Sequence, residues 1–364
     1  MTHLGALQRP NPGRHPQATT EEGQGGGRRS GQPSGSVRFF DYRPTPADVC
    51  AEVLEGLGRP AKRLSPKLFY DQHGSRLFDA ITELPEYYPT RTEIGILREY
   101  GSEMADRLGR DNVLIELGSG SSLKIQILLA ALRPRTYLPV DISREHLLES
   151  AYALAERFPG LAIRAACADY SAPFRLPLEP DWTDLAAFFP GSSIGNFDPD
   201  DARLLLRRVA GLLGAGGRLL IGVDLPKDPA ILNAAYDDAQ GVTAAFNLNL
   251  LTRINRELDG DFDLDAFAHR AFFNAAESRV EMHLVSRVDQ RVRVAGAAFD
   301  FRAGETIHTE SSYKYGTEVF KRLARDAGFL SEQVWTDPEG LFSVHCLRVR
   351  GVRPAACAAA PNQA

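Results

Sequence analysis

No apolar stretch of the chain reaches the roughly 18 residues that a membrane-spanning helix needs, so a membrane partner is not expected from any of its 364 residues. The N-terminus, MTHLGALQRPNPGRHP, lacks the continuous apolar segment of a secretory signal. Cysteine is scarce: Cys50, Cys167, Cys346 and Cys357 show no CxxC spacing and no histidine ladder beside them. A disulfide framework or zinc site is therefore not expected, and a reducing cytoplasm fits. Cys167 and Cys346 sit in apolar runs and read as small core residues. The eight histidines are scattered without metal-ligand spacing, so no metal is assigned. An excess of positive charge is also missing. Lys and Arg number 42 against 47 Asp and Glu, a net charge of −5, which argues against a nucleic-acid partner.

What is present suits a globular protein with a substantial core: 43% apolar and 24% charged residues. Residues 1–36 are rich in Gly, Pro, Ser, Gln and Arg with almost no large apolar side chains. Such a segment cannot offset its ordering entropy and reads as a disordered tail, and residues 354–364 read as a second, flexible tail. Between them, short apolar runs alternate with helical patterns. Strands are expected at Val113–Leu117, Tyr137–Val140, Leu161–Cys167, Leu185–Phe189 and Arg218–Val223, with helices at Ile125–Leu132, Glu145–Arg157 and Pro199–Leu213. This alternation predicts an α/β fold with a parallel sheet covered on both faces. Residues 226 to about 259 read as helical, and Arg279–Val285 and Gln290–Phe299 as two strands joined by a turn. A strongly amphipathic helix, TEVFKRLARDAG, then follows Gly316, and a final antiparallel pair surrounds Asp337-Pro338-Glu339-Gly340. A helix plus hairpin closes the sheet of class I methyltransferases. The organisation expected is thus a Rossmann-like methyltransferase domain at 92–225 and 316–353, with 37–91 and 226–315 forming an inserted α+β substrate-binding lobe. Ligands of open α/β sheets bind beyond the carboxyl ends of the strands, which that lobe would cap.

Glu116-Leu-Gly118-Ser-Gly120 directly follows an apolar strand. Glycines there let the backbone turn tightly and approach a ligand. The third glycine of a dinucleotide fingerprint is replaced by Leu123, so an acidic strand end followed by GxG suits S-adenosylmethionine better than NAD; an ordinary strand–helix turn would look the same. Asp141, at the end of the next strand, is placed to accept ribose hydroxyls, or to cap the helix that follows. Asp169-Tyr170 ends the third strand: the carboxylate suits an adenine amino group and Tyr170 the ring, although a turn residue beside a core aromatic fits as well. Pro190–Asn196 ends the fourth strand with two glycines and two serines, and Asn196 offers both a donor and an acceptor. In Thr309-Glu310-Ser311-Ser312-Tyr313-Lys314-Tyr315, an extended backbone sends Glu310, Ser312 and Lys314 to one side. A carboxylate beside a hydroxyl is what an imidazole needs; the competing reading is capping of the helix that follows. The aromatics Phe69-Tyr70, Phe78 and Tyr87-Tyr88 read as core or pocket.

Longer segments are more specific. Pro66-Lys-Leu-Phe-Tyr-Asp71, Gly74-Ser-Arg-Leu-Phe78, Leu84-Pro-Glu-Tyr-Tyr-Pro-Thr-Arg-Thr-Glu93, Gly191-Ser-Ser-Ile-Gly-Asn196, Ala235-Tyr-Asp-Asp-Ala239, Gly241-Val-Thr-Ala-Ala-Phe-Asn247, Asp261–Phe267, Glu281-Met282 and Thr309-Glu-Ser-Ser312 resemble the histidine-specific Nα-methyltransferase family of ergothioneine biosynthesis. The resemblance runs from about 60 to 350. It implies that Gly118, Lys124, Asp141, Asp169 and Tyr170 hold S-adenosylmethionine. It implies that Tyr87, Asn196 and Tyr236 hold the α-amino and carboxylate groups, with Tyr70 near the amine. Glu310 and Ser312 would read the imidazole, Ser311 contributing backbone, and Met282 and Phe78 would form apolar walls. Phe189-Pro190 and Phe197, flanking the Gly191–Asn196 segment, depart from the family's form.

The resemblance further implies three successive methyl transfers from S-adenosylmethionine to L-histidine, giving trimethylhistidine (hercynine), with a small amino acid as the only partner of a monomeric, cytoplasmic enzyme. Related enzymes act on tryptophan-type amines, the main alternative, but an indole uses a carboxylate–hydroxyl pair less fully than an imidazole. A catalytically idle cofactor-binding scaffold is the other.

Overall fold

The computed structural model describes residues 36–120, 123–174 and 176–351. The two expected tails therefore lie outside the described residues, apart from Ser36. The chain begins with β1 (Val37–Tyr42) and α1 (Pro46–Gly58), the latter closed by a capping box between Thr45 and Asp48. The short β2 (Lys62–Arg63), a 3₁₀ turn at Pro66–Phe69, α2 (Gln72–Thr82) and the long α3 (Tyr88–Leu108) follow.

Then comes the alternating region: β3 (Val113–Leu117), α4 (Leu123–Leu132), β4 (Thr136–Asp141), α5 (Arg144–Arg157), β5 (Ala162–Ala168), β6 (Leu185–Phe189), α6 (Pro199–Leu213) and β7 (Arg218–Asp224). Each strand falls where the apolar runs predict. All five residues of β3 and of β6 are buried, as strands covered on both faces require.

The helical segment after β7 is two helices, α7 (Pro229–Tyr236) and α8 (Val242–Glu257), separated by Asp237–Gly241. Next come β8 (Phe267–Asn274), β9 (Arg279–Ser286), β10 (Gln290–Val294), β11 (Ala297–Phe301), β12 (Thr306–Tyr313), α9 (Thr317–Asp326), β13 (Phe329–Thr336) and β14 (Phe342–Val349).

The main sheet has the order β1-β5-β4-β3-β6-β7-β14-β13. Its first six strands run parallel, and the β13–β14 hairpin closes it antiparallel to β7. This is the α/β sheet with a closing helix and antiparallel hairpin that the sequence predicts. The strand order reverses between β3 and β6, so a crevice opens there at the carboxyl ends. Apolar clusters cover both faces, one around Leu205, Phe320 and Phe329, the other around Leu97, Leu128 and Phe188.

Two features differ from the sequence reading. Segment 37–91 is not wholly part of the second lobe: β1 pairs in parallel with β5 and extends the main sheet, covering an edge that would otherwise be open. And Arg279–Ser286 does not pair with Gln290–Val294. It lies between β8 and β12 in a second sheet, β2-β12-β9-β8, while β10 and β11 form their own hairpin around Ala295-Gly296, both in positive φ. A third apolar cluster, including Phe69, Phe246, Leu250, Met282 and Ile307, joins this sheet to α2 and α8.

Candidate functional site

Three adjoining cavities lie where the two sheets meet. The first is lined by Gly118, Gly120, Lys124, Asp141, Tyr170, Gly191 and Asn196. The second contains Asp169, Tyr170, Asn196 and Phe197. The third contains Tyr70, Phe78, Tyr87, Asn196, Tyr236, Met282, Glu310 and Ser312. Tyr70, Ser193 and Asn196 line all three, so they stand at the junction.

The first cavity is made by turns that the parallel strands deliver to one edge. Gly118 leaves β3 with φ +71°, and a Cβ there would sit 3.1 Å from the Tyr170 hydroxyl. Glycine therefore meets both a conformational and a steric demand. Asp141 ends β4, and one of its oxygens accepts the Ser143 N–H at 2.8 Å. Burial raises its carboxyl above the usual range. The Tyr170 hydroxyl bonds to no described residue. A close-approach glycine turn, a half-buried carboxylate one strand away and an unengaged phenol fit a ribose-bearing methyl donor. Asp169 is partly spoken for: its carboxylate takes Lys67 Nζ at 2.9 Å and the Ser171 N–H at 2.9 Å. Burial would raise it, but Ser171 and Lys67 together hold it below the usual carboxylate range.

Lys124 reaches the same cavity but is ion-paired at 2.7 Å with the fully buried Glu93 of α3. Glu93 also accepts the Gly191 N–H at 2.9 Å. A Cβ on Gly222 would fall 2.3 Å from the Glu93 carboxylate. Lys124 thus helps brace the Gly191 turn through Glu93. Glu116, at the end of β3, bonds to the Tyr137 hydroxyl, and burial pushes its carboxyl up to about 8.

The third cavity has an aromatic wall. Tyr70 packs edge-on to Phe78 and Phe246, and Phe78 edge-on to Tyr87, at 5.8–6.2 Å between centroids. Tyr87 does the same to Tyr236 at 6.3 Å. Burial drives the Tyr70, Tyr87 and Tyr236 phenols well above their ordinary range, so they act as neutral hydroxyls. The Tyr70 and Tyr87 hydroxyls, the Asn196 amide and the Glu310 carboxylate bond to no described side chain or backbone group, although each lines a cavity. Tyr87 and Glu310 are buried and Tyr70 and Asn196 half-buried; polar groups enclosed without a protein partner are costly, so their convergence on open cavities marks a place suited to a polar ligand. Burial lifts Glu310 to about 7, with Lys314 pulling the other way.

β12 is extended over Thr309–Ser312, so the capping alternative does not apply: the following helix begins at Thr317, beyond Gly316. Glu310 lies opposite Met282 in register, which puts both on the cavity face. Ser311 points to the other face, its hydroxyl meeting His308 at 3.2 Å. Ser312 Oγ is 2.7 Å from the Tyr236 hydroxyl. Lys314 Nζ donates to both, at 2.8 and 3.0 Å, and pairs with Asp224 at 2.7 Å. Asp224 also accepts from Tyr88 at 2.7 Å and Lys227 at 2.6 Å. Burial would raise its carboxyl, but Lys314 and Lys227 hold it below the usual range.

Sequence reasoning gives no role to Glu93, Lys67, Asp224 or Lys227. They are buried or half-buried charges, most of whose partners lie far along the chain, the Asp224–Lys227 pair excepted, and beforehand they are visible only as acidic or basic residues in the sequence. Nor does it foresee that Glu281, His283 and His308 come within 4.8 Å of one another. His283 and His308 are partners in register, and their rings stack at 4.8 Å. Stacked rings do not direct their lone pairs to a common point, and Glu281 is already held by Arg279 at 2.8 Å. This cluster is built as a salt-bridged stack more than as an ion cage.

Comparison with known proteins bears out the family resemblance read from the sequence. Residues 49–349 match the family described as histidine-specific methyltransferase, SAM-dependent. Histidine N-alpha-methyltransferase of Mycolicibacterium smegmatis is 45% identical over 309 residues, covering 82% of this chain and 95% of that protein. The protein of the same name from Mycobacterium tuberculosis is 44% identical over 299 residues, covering 80% and 92%. Ergothioneine biosynthesis protein 1 of Neurospora crassa is 31% identical over 334 residues, covering 84% of this chain and 36% of that protein.

Proposed function

The chain belongs to the family of histidine-specific, S-adenosylmethionine-dependent methyltransferases, and from that premise we propose that it methylates the α-nitrogen of L-histidine three times, giving hercynine for ergothioneine biosynthesis. The observation that carries this reading is the shared cavity: Asn196, Tyr236, Glu310 and Ser312 line one chamber. That chamber joins the Gly118–Asp141 cavity through Tyr70, Phe78, Tyr87 and Asn196.

S-adenosylmethionine supplies a methyl group on a sulfonium, an activated donor that departs as a neutral thioether. Gly118, Asp141, Asp169 and Tyr170 bind the nucleoside end, and Lys124 supports the turn that faces it. Asn196, Tyr87 and Tyr236 hold the amino-acid end of histidine, and Glu310 and Ser312 the ring, with Met282 as wall. The amine must arrive neutral, although α-amino groups titrate near roughly 8 in peptides. A cavity walled by rings disfavours an unpaired ammonium, which helps the proton leave to water. The Tyr70 hydroxyl, kept as a neutral phenol by burial, orients the lone pair. Alignment of this kind is worth several kcal/mol of barrier. As methyls accumulate, the aromatic wall of Tyr70, Phe78, Phe246 and Tyr87 offers apolar surface to the added methyl groups.

One chain supplies every group this reading needs, which supports a monomer. The unpaired thiols of Cys50, Cys167 and Cys346 support a cytoplasmic setting. Mass spectrometry of histidine incubated with enzyme and methyl donor tests the assignment. Gains of one, two and three methyls are expected; faster methylation of tryptophan than of histidine would overturn it.

A further inference from the structure

Lys314 is fully buried, and all three of its N–H donors are used: on Asp224 at 2.7 Å, Ser312 Oγ at 2.8 Å and the Tyr236 hydroxyl at 3.0 Å. Ser312 and Tyr236 in turn share a hydrogen bond of 2.7 Å. Two hydroxyls own two protons, and their mutual bond consumes one. Suppose Tyr236 donates to Ser312. Ser312 then accepts twice, from Tyr236 and Lys314, so its lone pairs are full and only its proton is left for the cavity. Suppose instead that Ser312 donates to Tyr236. The roles exchange, and the one free proton belongs to Tyr236. In either case the pair offers the cavity a single donor, on one residue, and an acceptor on the other. Without Lys314 the mutual bond still leaves one free proton, but each oxygen regains an acceptor site, so the pair is no longer restricted to one donor on one residue and one acceptor on the other.

We propose that Lys314 is the positioning residue of the amino-acid pocket: by filling one acceptor site on each of Ser312 and Tyr236, it restricts the hydrogen-bonded pair to one donor on one residue and one acceptor on the other, offered to the substrate as one unit. This rests on the histidine reading given above. Its consequence is that the ring end and the carboxylate end of the substrate are not gripped independently. A neutral imidazole, which has one N–H for Glu310 and one bare nitrogen, calls the proton to Ser312; a carboxylate calls it to Tyr236. Lys314 is itself held from the main sheet, since Asp224 ends β7 and Tyr315 N–H donates to the Asp224 carbonyl at 3.0 Å.

Lys314→Met tests this. Asp224 keeps Lys227 and the Tyr88 hydroxyl as partners, so the carboxylate is not stranded. Wild-type enzyme is first shown to methylate histidine; if it does not, the parent reading fails. If it does, Lys314→Met is expected to raise KM for histidine tenfold or more. kcat at saturation should stay within threefold, and the Kd for S-adenosylhomocysteine within twofold by calorimetry. Ser312→Ala should then cost several-fold less in kcat/KM when added to Lys314→Met than when made alone. A histidine KM within twofold of wild type overturns the proposal, as does an equal cost of Ser312→Ala in both backgrounds. If Lys314→Met does not melt cooperatively, Ser312→Ala and Tyr236→Phe are combined in the otherwise unaltered chain. A shared proton predicts losses that do not multiply, and full multiplication overturns it.

Discussion

Gly195 lies directly against the backbone of Tyr313: a Cβ at 195 would stand 2.7 Å from the Tyr313 carbonyl oxygen and 3.2 Å from its amide nitrogen. The turn that carries Asn196 therefore seats on the strand that carries Glu310 and Ser312, main chain against main chain, and the two ends of the pocket are joined through this contact.

Gly195→Ala forces that seam open. Overpacking against backbone costs about 1–3 kcal/mol, so thermal melting should show a Tm lower by several degrees. Histidine KM should rise more than the Kd for S-adenosylhomocysteine. A variant with unchanged Tm and KM would show that the seam has no such role.

Glu310→Gln separates stability from function. Burial raises the Glu310 carboxyl to about 7, above its value in an unfolded chain. The folded state thus holds the proton more tightly, and stability falls as pH climbs from roughly 4.5 toward 8. Glutamine escapes that cost. Without substrate, the variant should melt about 2 °C or more above wild type at pH 8 and equal it near pH 5. Its kcat/KM for histidine should nevertheless fall at least tenfold, because an ionised acceptor for the ring N–H has gone. In the wild type, kcat/KM should decline as pH drops below about 7; a flat profile from pH 6 to 8 would count against ionised Glu310 as the ring's partner.

Tyr70→Phe removes a hydroxyl with no partner among the described residues while leaving the ring contacts to Phe78 and Phe246. Turnover should drop tenfold or more, with the Kd for S-adenosylhomocysteine within twofold. Unchanged turnover would remove the role given to this hydroxyl.

Asp141→Asn should weaken S-adenosylhomocysteine binding by about 10- to 100-fold, the value of hydrogen bonds to a charged group. Calorimetry at several donor concentrations gives the number. Equal affinity would mean that Asp141 serves only its own turn through Ser143.

The half of the molecule that meets the methyl donor is legible because its signals are local. Val113–Leu117 and Leu185–Phe189 are short, wholly buried and closed by glycine-bearing turns, and parallel pairing brings Gly118, Asp141 and Asp169 to one edge without further information. The amino-acid half obeys no local rule. Glu310 gains its surroundings from Tyr70, Tyr236 and Met282, elements separated by up to 240 residues, and only likeness to a family brings them together beforehand. Val37–Tyr42 hides its place because an edge strand with one buried residue carries little periodicity. Phe267–Asn274, with a single buried position, is obscure for the same reason. Lys314 is readable as facing the same way as Glu310, but its burial beside Asp224 is not, since lysine is rarely enclosed.

The separation of the two halves along the chain has a consequence during synthesis. The residues proposed to hold the nucleoside, Gly118, Asp141, Asp169 and Tyr170, lie between residues 118 and 170, whereas those proposed for the ring leave the ribosome about 140 residues later, after β8 through β11 have been made. A growing polypeptide halted near residue 300 would own the groups proposed for the donor and for the amino-acid end of the acceptor, but not the pair proposed for its ring. Selectivity for the ring is in this sense acquired later than the cradle for the donor.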